Sequence, residues 1–236
     1  SYRLVGSEMC IRDSLRRVSR NGISLGSLCT ASYILAKAGL LTNKKATIHW
    51  ENLSGVREEF PDLVFTNNLY EIDIDRFSCS GGTSSLDLML NIISGMHGNN
   101  LAKSISDQLI HERIRLPNDF QRMDLRSRLG VSHPKLLNAV SIMEENLEEP
   151  LSQKELAFKS NISLRQLERL FKKYISNTPN QYYLKLRLER AQNLLMQTSM
   201  SILSVALASG FTSSSHFSKC YKVQFGISPR DTRFQE

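Results

Sequence analysis

Apolar residues follow two different spacings along this chain. Up to about residue 116, short apolar runs and strict alternations are mixed with recurrences every three or four residues; past residue 134 only the helical recurrence is left. In the first part, "ISLGSLC" reads as a buried strand and "TASYILAKAGLL" as a helix, with Gly39 near its end. "KKATIHW" and "LVFTNN" are short strand candidates around the helix-like "ENLSGVREEF". "LYEIDIDRFSCSGG" reads as a hairpin pair, and "TSSLDLMLNIISGMHGNNLAKSISDQLIHERI" as one or two helices capped by Thr83 or Ser84. Strands alternating with helices predict an α/β layer.

Residues 117–134, "PNDFQRMDLRSRLGVSHP", are polar, and 121–134 are assigned as a linker between a domain at 15–120 and a domain at 135–236. The second domain is predicted to be all-α. "KLLNAVSIMEENL" is an amphipathic helix. "SQKELAFKS" and "SLRQLERLFKKYI" each open on a capping box, Ser152 with Glu155 and Ser163 with Gln166. "TPNQYYLKLRLERAQNLLMQT" is a long helix with Pro179 in its first turn. "SILSVALAS", the segment after Gly210 and a last turn after Ser228-Pro229 complete about seven helices.

This domain contains a repeat. At an offset of 50, Ser163 matches Ser213, Leu167 matches Phe217, Arg169 matches Lys219, Phe171 matches Tyr221 and Pro179 matches Pro229. Upstream, Leu156, Ala157 and Asn161 match Val205, Ala206 and Gly210 at an offset of 49, so the second turn carries one inserted residue. Each copy is a helix with a small facing residue, a turn on a residue type that tolerates positive φ, and a second helix. That is the helix-turn-helix pattern, whose second helix enters the DNA major groove. Leu164, Leu167, Leu170, Phe171 and Tyr174 are the expected packing residues of the first copy, and Phe217, Tyr221 and Phe225 of the second. Arg165, Gln166, Glu168, Arg169, Lys172 and Lys173 are left facing outward in the first, and Ser214, Ser215, Ser218, Lys219 and Lys222 in the second. Small hydroxyls at the start of such a helix allow close approach to base edges. Ser213 is either a plain N-cap or a phosphate contact. A linking helix of about 20 residues spans about 30 Å, close to the roughly 34 Å of one DNA turn.

Charge supports a polyanionic partner. The net charge of +7 is concentrated after residue 150, where 13 Lys and Arg face 5 Asp and Glu. Apolar residues make up 41% and charged residues 22% of the 236, as in an ordinary globular protein. No apolar run approaches the roughly 20 residues that span a bilayer, and no signal peptide is read at the N-terminus, so no membrane partner and a cytoplasmic, nucleoid-associated location are expected. The four cysteines, Cys10, Cys29, Cys79 and Cys220, have neither disulfide nor metal-ligand spacing, and no metal or cofactor is expected. Residues 1–14, "SYRLVGSEMCIRDS", fit nothing that follows; they read as foreign sequence and are set aside.

"LAFKSNISLRQLERLFKKY", "RLERAQNLL" and "GFTSSSHFSKCYKVQFGISPRDTR" resemble the AraC/XylS family of bacterial transcription regulators over about residues 136–233. The resemblance implies a seven-helix domain with two DNA-binding motifs that activates transcription by contacting RNA polymerase. It carries base-reading roles onto Arg165, Glu168 and Arg169, and onto Ser214, Ser215, Ser218 and Lys219. Asn161 departs from the glycine often found in the family's turn.

Cys29 lies where a strand turns into a helix, a placement that activates a thiol, and His49 is a possible base. A small buried thiol and an imidazole at the core edge are the commoner roles of two such residues. Residues 22–122 resemble the later part of a PfpI-like, class I glutamine-amidotransferase-like domain of flavodoxin-like fold, as carried by regulators of the GlxA type. Those enzymes usually have His directly after the elbow Cys, where this chain has Thr30, and the strands expected before the elbow are absent. The resemblance therefore implies a dimerising sensor rather than an enzyme, with a small-molecule effector near Cys29, Thr30 and His49. "FSCSGGTSSLDLML", "LIHERIR" and "RLGVSHPKL" look closest to regulators of choline, glycine betaine, carnitine or arginine breakdown. Trp50 either helps cage a quaternary ammonium or fills core space. A truncated sheet with an unpaired edge is expected to make the front half poorly stable.

Overall fold

The computed structural model describes residues 2–234, and residues 2–8 by their backbone alone. Contacts divide the chain into two units, one ending at Arg122 and the other beginning at Met123.

The first unit opens with helix α1 (Tyr2–Arg20), followed by β1 (Leu25–Leu28), a 3-10 turn at Cys29–Ala31 and α2 (Ser32–Lys37). Then come β2 (Lys45–Ala46), α3 (Trp50–Glu59), β3 (Val64–Phe65), β4 (Tyr70–Asp73), β5 (Arg76–Cys79), α4 (Ser84–His97) and α5 (Asn99–Gln108). The alternating stretch forms the expected hairpin: β4 and β5 are antiparallel, joined at Ile74-Asp75. β1 pairs with β5 in parallel, giving the sheet order β1-β5-β4, and β2 pairs in parallel with β3. Sheet and helices together make this an α/β unit. Its core gathers Leu35, Ala36, Leu41, Ile48, Val56 and Phe65, with a second cluster at Leu69, Tyr70, Cys79 and Leu88. Helix α1 includes most of the stretch read as foreign, and beyond that stretch its Leu15 and Val18 pack against the first of these clusters.

One expected cap takes another form. The Thr83 side chain makes no cap hydrogen bond. Its Oγ1 accepts from Arg115 Nη2 at 2.6 Å, and Ser84 Oγ donates to the Gly81 carbonyl at 2.6 Å. Long-range pairing with Arg115 has taken the hydroxyl that the local sequence offered to the helix.

The second unit is helical throughout: α6 (Leu125–Leu129), α7 (Pro134–Glu145), α8 (Gln153–Lys159), α9 (Leu164–Tyr174), α10 (Pro179–Gln197), α11 (Ile202–Ala208), α12 (Ser214–Phe225) and α13 (Pro229–Arg233). Helix α6 lies inside the stretch read as a linker. Asp124 caps it, accepting from the Ser127 amide at 2.6 Å, and Gly130 ends it in the left-handed conformation. Leu125, Leu129 and Val131 then pack into the first core of this unit.

That unit has two cores joined by α10. The first holds Leu136, Val140, Leu156, Leu167 and Phe171, and takes Tyr183 and Leu186 from the N-terminal half of α10. The second holds Val205, Phe211, Phe217 and Tyr221, and takes Leu188, Ala191, Leu194 and Leu195 from its C-terminal half. Each fully buried Leu or Phe contributes about 1.5–3 kcal/mol, so both halves of α10 are fixed by burial rather than by propensity. Among the described residues no helix is long and apolar enough to cross a membrane.

Candidate nucleic-acid interface

The two repeats coincide down to single backbone hydrogen bonds. After α8, Asn161 sits at φ +56°; after α11, Gly210 sits at φ +78°. The Asn161 amide donates to the Phe158 carbonyl at 3.0 Å and the Gly210 amide to the Leu207 carbonyl at 2.8 Å. The next amides, of Ile162 and Phe211, donate to the carbonyls of Ala157 and Ala206 at 3.0 and 2.9 Å. All these pairs keep the offset of 49. The following N-caps, Ser163 and Ser213, stand 50 apart. Thr212 is therefore the inserted residue. Ala157 and Ala206 are both buried, as close approach of the two helices requires.

Positive φ is costly for residues with a Cβ, and Asn is among the few that visit it routinely. Asn161→Ala is expected to cost about 1–2 kcal/mol, read as a lower urea midpoint, whereas Asn161→Gly should leave the midpoint at or above wild type.

Helix α9 is set by a complete capping box. The Gln166 amide donates to Ser163 Oγ at 3.2 Å, and the Ser163 amide donates to Gln166 Oε1 at 2.9 Å. Leu167, Leu170 and Phe171 are buried on one face and Leu164 is half-buried. Tyr174 departs from the expected packing: it is 37% exposed, and its ring lies against His133. It stands in the last turn, where the apolar spacing outruns the core.

Arg165, Gln166, Glu168, Arg169, Lys172 and Lys173 are all exposed. Arg165, Gln166 and Arg169 share one surface depression with Ser163. Glu168 and Lys172 line a neighbouring groove with Gln153, the turn at 176–178 and the first residues of α10 at 179–181. The capping box engages Gln166 Oε1, so only the amide nitrogen of that side chain is left to reach outward. Gln153 and Asn180 were not read from the sequence as site residues; their signal was position, since each stands at a helix start beside the groove.

In the second copy Ser214, Ser215, Lys219 and Lys222 are exposed and Ser218 is half-buried. Ser213 is an N-cap: its Oγ accepts from the His216 amide at 3.3 Å. Phe217 and Tyr221 are buried, with Phe225 packed against them. Both second helices thus turn cations and small polar groups outward from an aromatic or leucine floor.

The sensor candidates lie in the first unit. Cys29 has φ +58°, in the left-handed region, at the junction of β1 and the turn before α2. Gly81 presses on it: a Cβ there would stand 2.7 Å from Cys29 Cβ and 2.8 Å from Sγ. Thr30 is exposed. His49 Nδ1 faces Glu51 Oε2 at 3.7 Å, and its ring lies against Trp50. The Arg122 guanidinium lies 3.9 Å from the Trp50 ring centroid, so a cation of the protein already covers one face of that indole.

A family model described as "Helix-turn-helix domain" matches residues 156–235. The chain is 51% identical over 219 residues to the HTH-type transcriptional regulator GbdR of Pseudomonas aeruginosa, covering 93% of this chain and 60% of that one. It is 47% identical over 222 residues to the HTH-type transcriptional regulator ArgR of the same species, covering 94% of this chain and 68% of that one. It also resembles a crystal structure of a transcriptional regulator from Chromobacterium violaceum, described as an AraC-type DNA-binding domain-containing protein. There the identity is 55%, the coverage 43% of this chain and 91% of the other, and the TM-score 0.42. The chain thus spans about 60% of the length of the first of these relatives.

Proposed function

Since the chain belongs to the AraC-type helix-turn-helix transcriptional regulators, we propose that residues 135–236 bind double-stranded DNA sequence-specifically through α9 and α12. The observation that carries this reading is the repeat itself. Two turns with matching hydrogen bonds, each followed by a serine N-cap, present an exposed, basic or hydroxyl-rich second helix, and 19-residue α10 joins them. At 1.5 Å per residue α10 is about 28 Å long, near the pitch that separates successive major grooves.

Arg165, Glu168 and Arg169 read base edges in the first groove, and Ser214, Ser215, Ser218 and Lys219 in the second. Lys172, Lys173 and Lys222 serve the phosphates. The front unit, of flavodoxin-like descent, acts as a sensor with its effector near Cys29, Thr30 and His49, a small metabolite of quaternary-amine or amino-acid type. The regulator works in the cytoplasm on the nucleoid, as an activator that contacts RNA polymerase, and the front unit supports dimerisation. The relatives described above are named as regulators, and Cys29 belongs to the sensor rather than to a catalytic centre.

Arg165→Ala and Arg169→Ala are each expected to weaken specific binding by roughly 1–3 kcal/mol and to relax base preference, while Lys172→Ala weakens all sequences alike. Gel shifts on a selected site and on random DNA, repeated across salt, check this. Equal losses on both DNAs for all three variants would defeat the assignment.

A further inference from the structure

Arg187, in the middle of α10, binds main-chain carbonyls of the second turn. Its Nε donates to the Ser209 carbonyl at 2.9 Å and its Nη2 to the Gly210 carbonyl at 2.7 Å. Its Cζ lies 4.2 Å from the centroid of the Phe211 ring. Those carbonyls follow the last turn of α11, where main-chain acceptors lack helical partners and a cation is favoured. One side chain thus grips three consecutive residues of the second helix-turn-helix at its turn.

The loop between α7 and α8 also packs against this turn. A Cβ on Gly210 would stand 2.6 Å from the Leu147 carbonyl oxygen, 2.8 Å from Pro150 Cδ and 3.0 Å from the Glu148 carbonyl oxygen. The loop carrying these atoms, between α7 and α8, is tied to α10 by Tyr183. Its hydroxyl donates to the Asn146 carbonyl and accepts from the Leu151 amide at 3.3 Å. Arg190 Nη2 approaches Glu148 Oε2 at 3.9 Å.

We propose that Arg187 is a positioning residue that, with glycine at 210 and the loop at 146–151, locks the second helix-turn-helix to the first and so sets the half-site spacing the protein accepts on DNA. The packing explains why glycine, and not merely a residue tolerant of positive φ, is needed at the second turn. Asn161 fills the matching place in the first copy, whereas at 210 even one methyl group would strike the loop. Arg187 touches no DNA in this scheme. It acts by holding α12 at a fixed place relative to α9, and shifting one groove by a single base pair moves the target by about 3.4 Å.

The proposal rests on the DNA-binding reading above, and two measurements keep their failures apart. In DNA-free protein, residual dipolar couplings of the α9 and α12 amides should fit one alignment tensor in wild type. In Arg187→Met they should need two, with the helical circular dichroism retained. On a site selected by wild type from random DNA, inserting one base pair between the half-sites should cost wild type at least tenfold in Kd. Arg187→Met should bind the uninterrupted site at least tenfold more weakly, yet lose less than threefold on the insertion. If Arg187→Met does not fold, Gly210→Ala, which leaves Arg187 in place, should show the two tensors and the relaxed spacing instead. A single tensor in both folded variants, or an unchanged spacing profile, would overturn the clamp. Expected tensors together with no sequence-selective binding by wild type would overturn the DNA reading and leave the clamp standing.

Discussion

Asp87→Ala is expected to destabilise the first unit by about 3–5 kcal/mol, the usual cost of removing one partner from a buried charge pair. Asp87 is completely buried in α4. Its Oδ1 accepts from His111 Nε2 and from the Arg115 amide, each at 2.8 Å, and its Oδ2 accepts from Arg115 Nε at 2.8 Å. Removing the carboxylate strands a guanidinium and an amide together, and Arg115 also loses its register against Thr83. The backbone after α5 depends on the same anchor: Tyr70 donates its hydroxyl to the Arg115 carbonyl at 3.1 Å.

The pH dependence has a definite sign. Burial by itself would raise the Asp87 pKa, but hydrogen bonds from the Arg115 amide, His111 and the Arg115 side chain outweigh it and hold the carboxyl below the usual carboxylate range. The folded value is the depressed one. Its contribution to stability is therefore complete above the unfolded pKa and is lost as pH falls through the folded one. Urea unfolding followed by circular dichroism at neutral pH and near pH 3 should show a wild-type advantage over Asp87→Asn that shrinks on acidification. Equal midpoints at neutral pH would sink the prediction.

Phe217→Ala is expected to cost about 3–5 kcal/mol and to remove most sequence-specific DNA affinity. Phe217 is fully buried, with ring centroids 5.1 Å from Phe211 and 5.6 Å from Tyr221. It is the side chain by which α12 is seated in the second core. With it truncated, Ser214, Ser215 and Lys219 keep their chemistry and lose their fixed placement. For a unit of this size the loss corresponds to a fall in Tm on the order of 10–20 °C. Differential scanning calorimetry with gel shifts below the lowered Tm tests both parts. A variant with wild-type Tm would contradict the packing argument, and one that melts early but binds normally when folded would contradict the link to DNA.

What could be read from the chain alone was what is local. The capping boxes at Ser152 and Ser163, proline at the start of α10, and the positive-φ residues Asn161 and Gly210 all act within four residues of themselves. Their effects therefore repeat wherever the pattern repeats. Leu167 and Phe171 were legible for the same reason. Helix α6 was missed although its cap, Asp124, and its stop, Gly130, are both in the sequence; five residues with two arginines carry too few apolar positions to show a period. Tyr174 was misplaced because spacing alone does not say where a core ends. Arg187, Gly210 with Leu147, Asp87 with Arg115, and Arg122 over Trp50 were not legible at all. Each joins residues far apart in sequence, and no single position announces its partner.

Because α10 completes both cores of the second unit, the boundary between the two lobes cannot be cut. During synthesis Leu156, Leu167 and Phe171 leave the ribosome before Tyr183 and Leu186, the side chains that cover them. A nascent chain stalled at the end of α9 would hold an uncovered apolar face, and any truncation meant to isolate the first motif must extend well into α10 to avoid making the same sticky species.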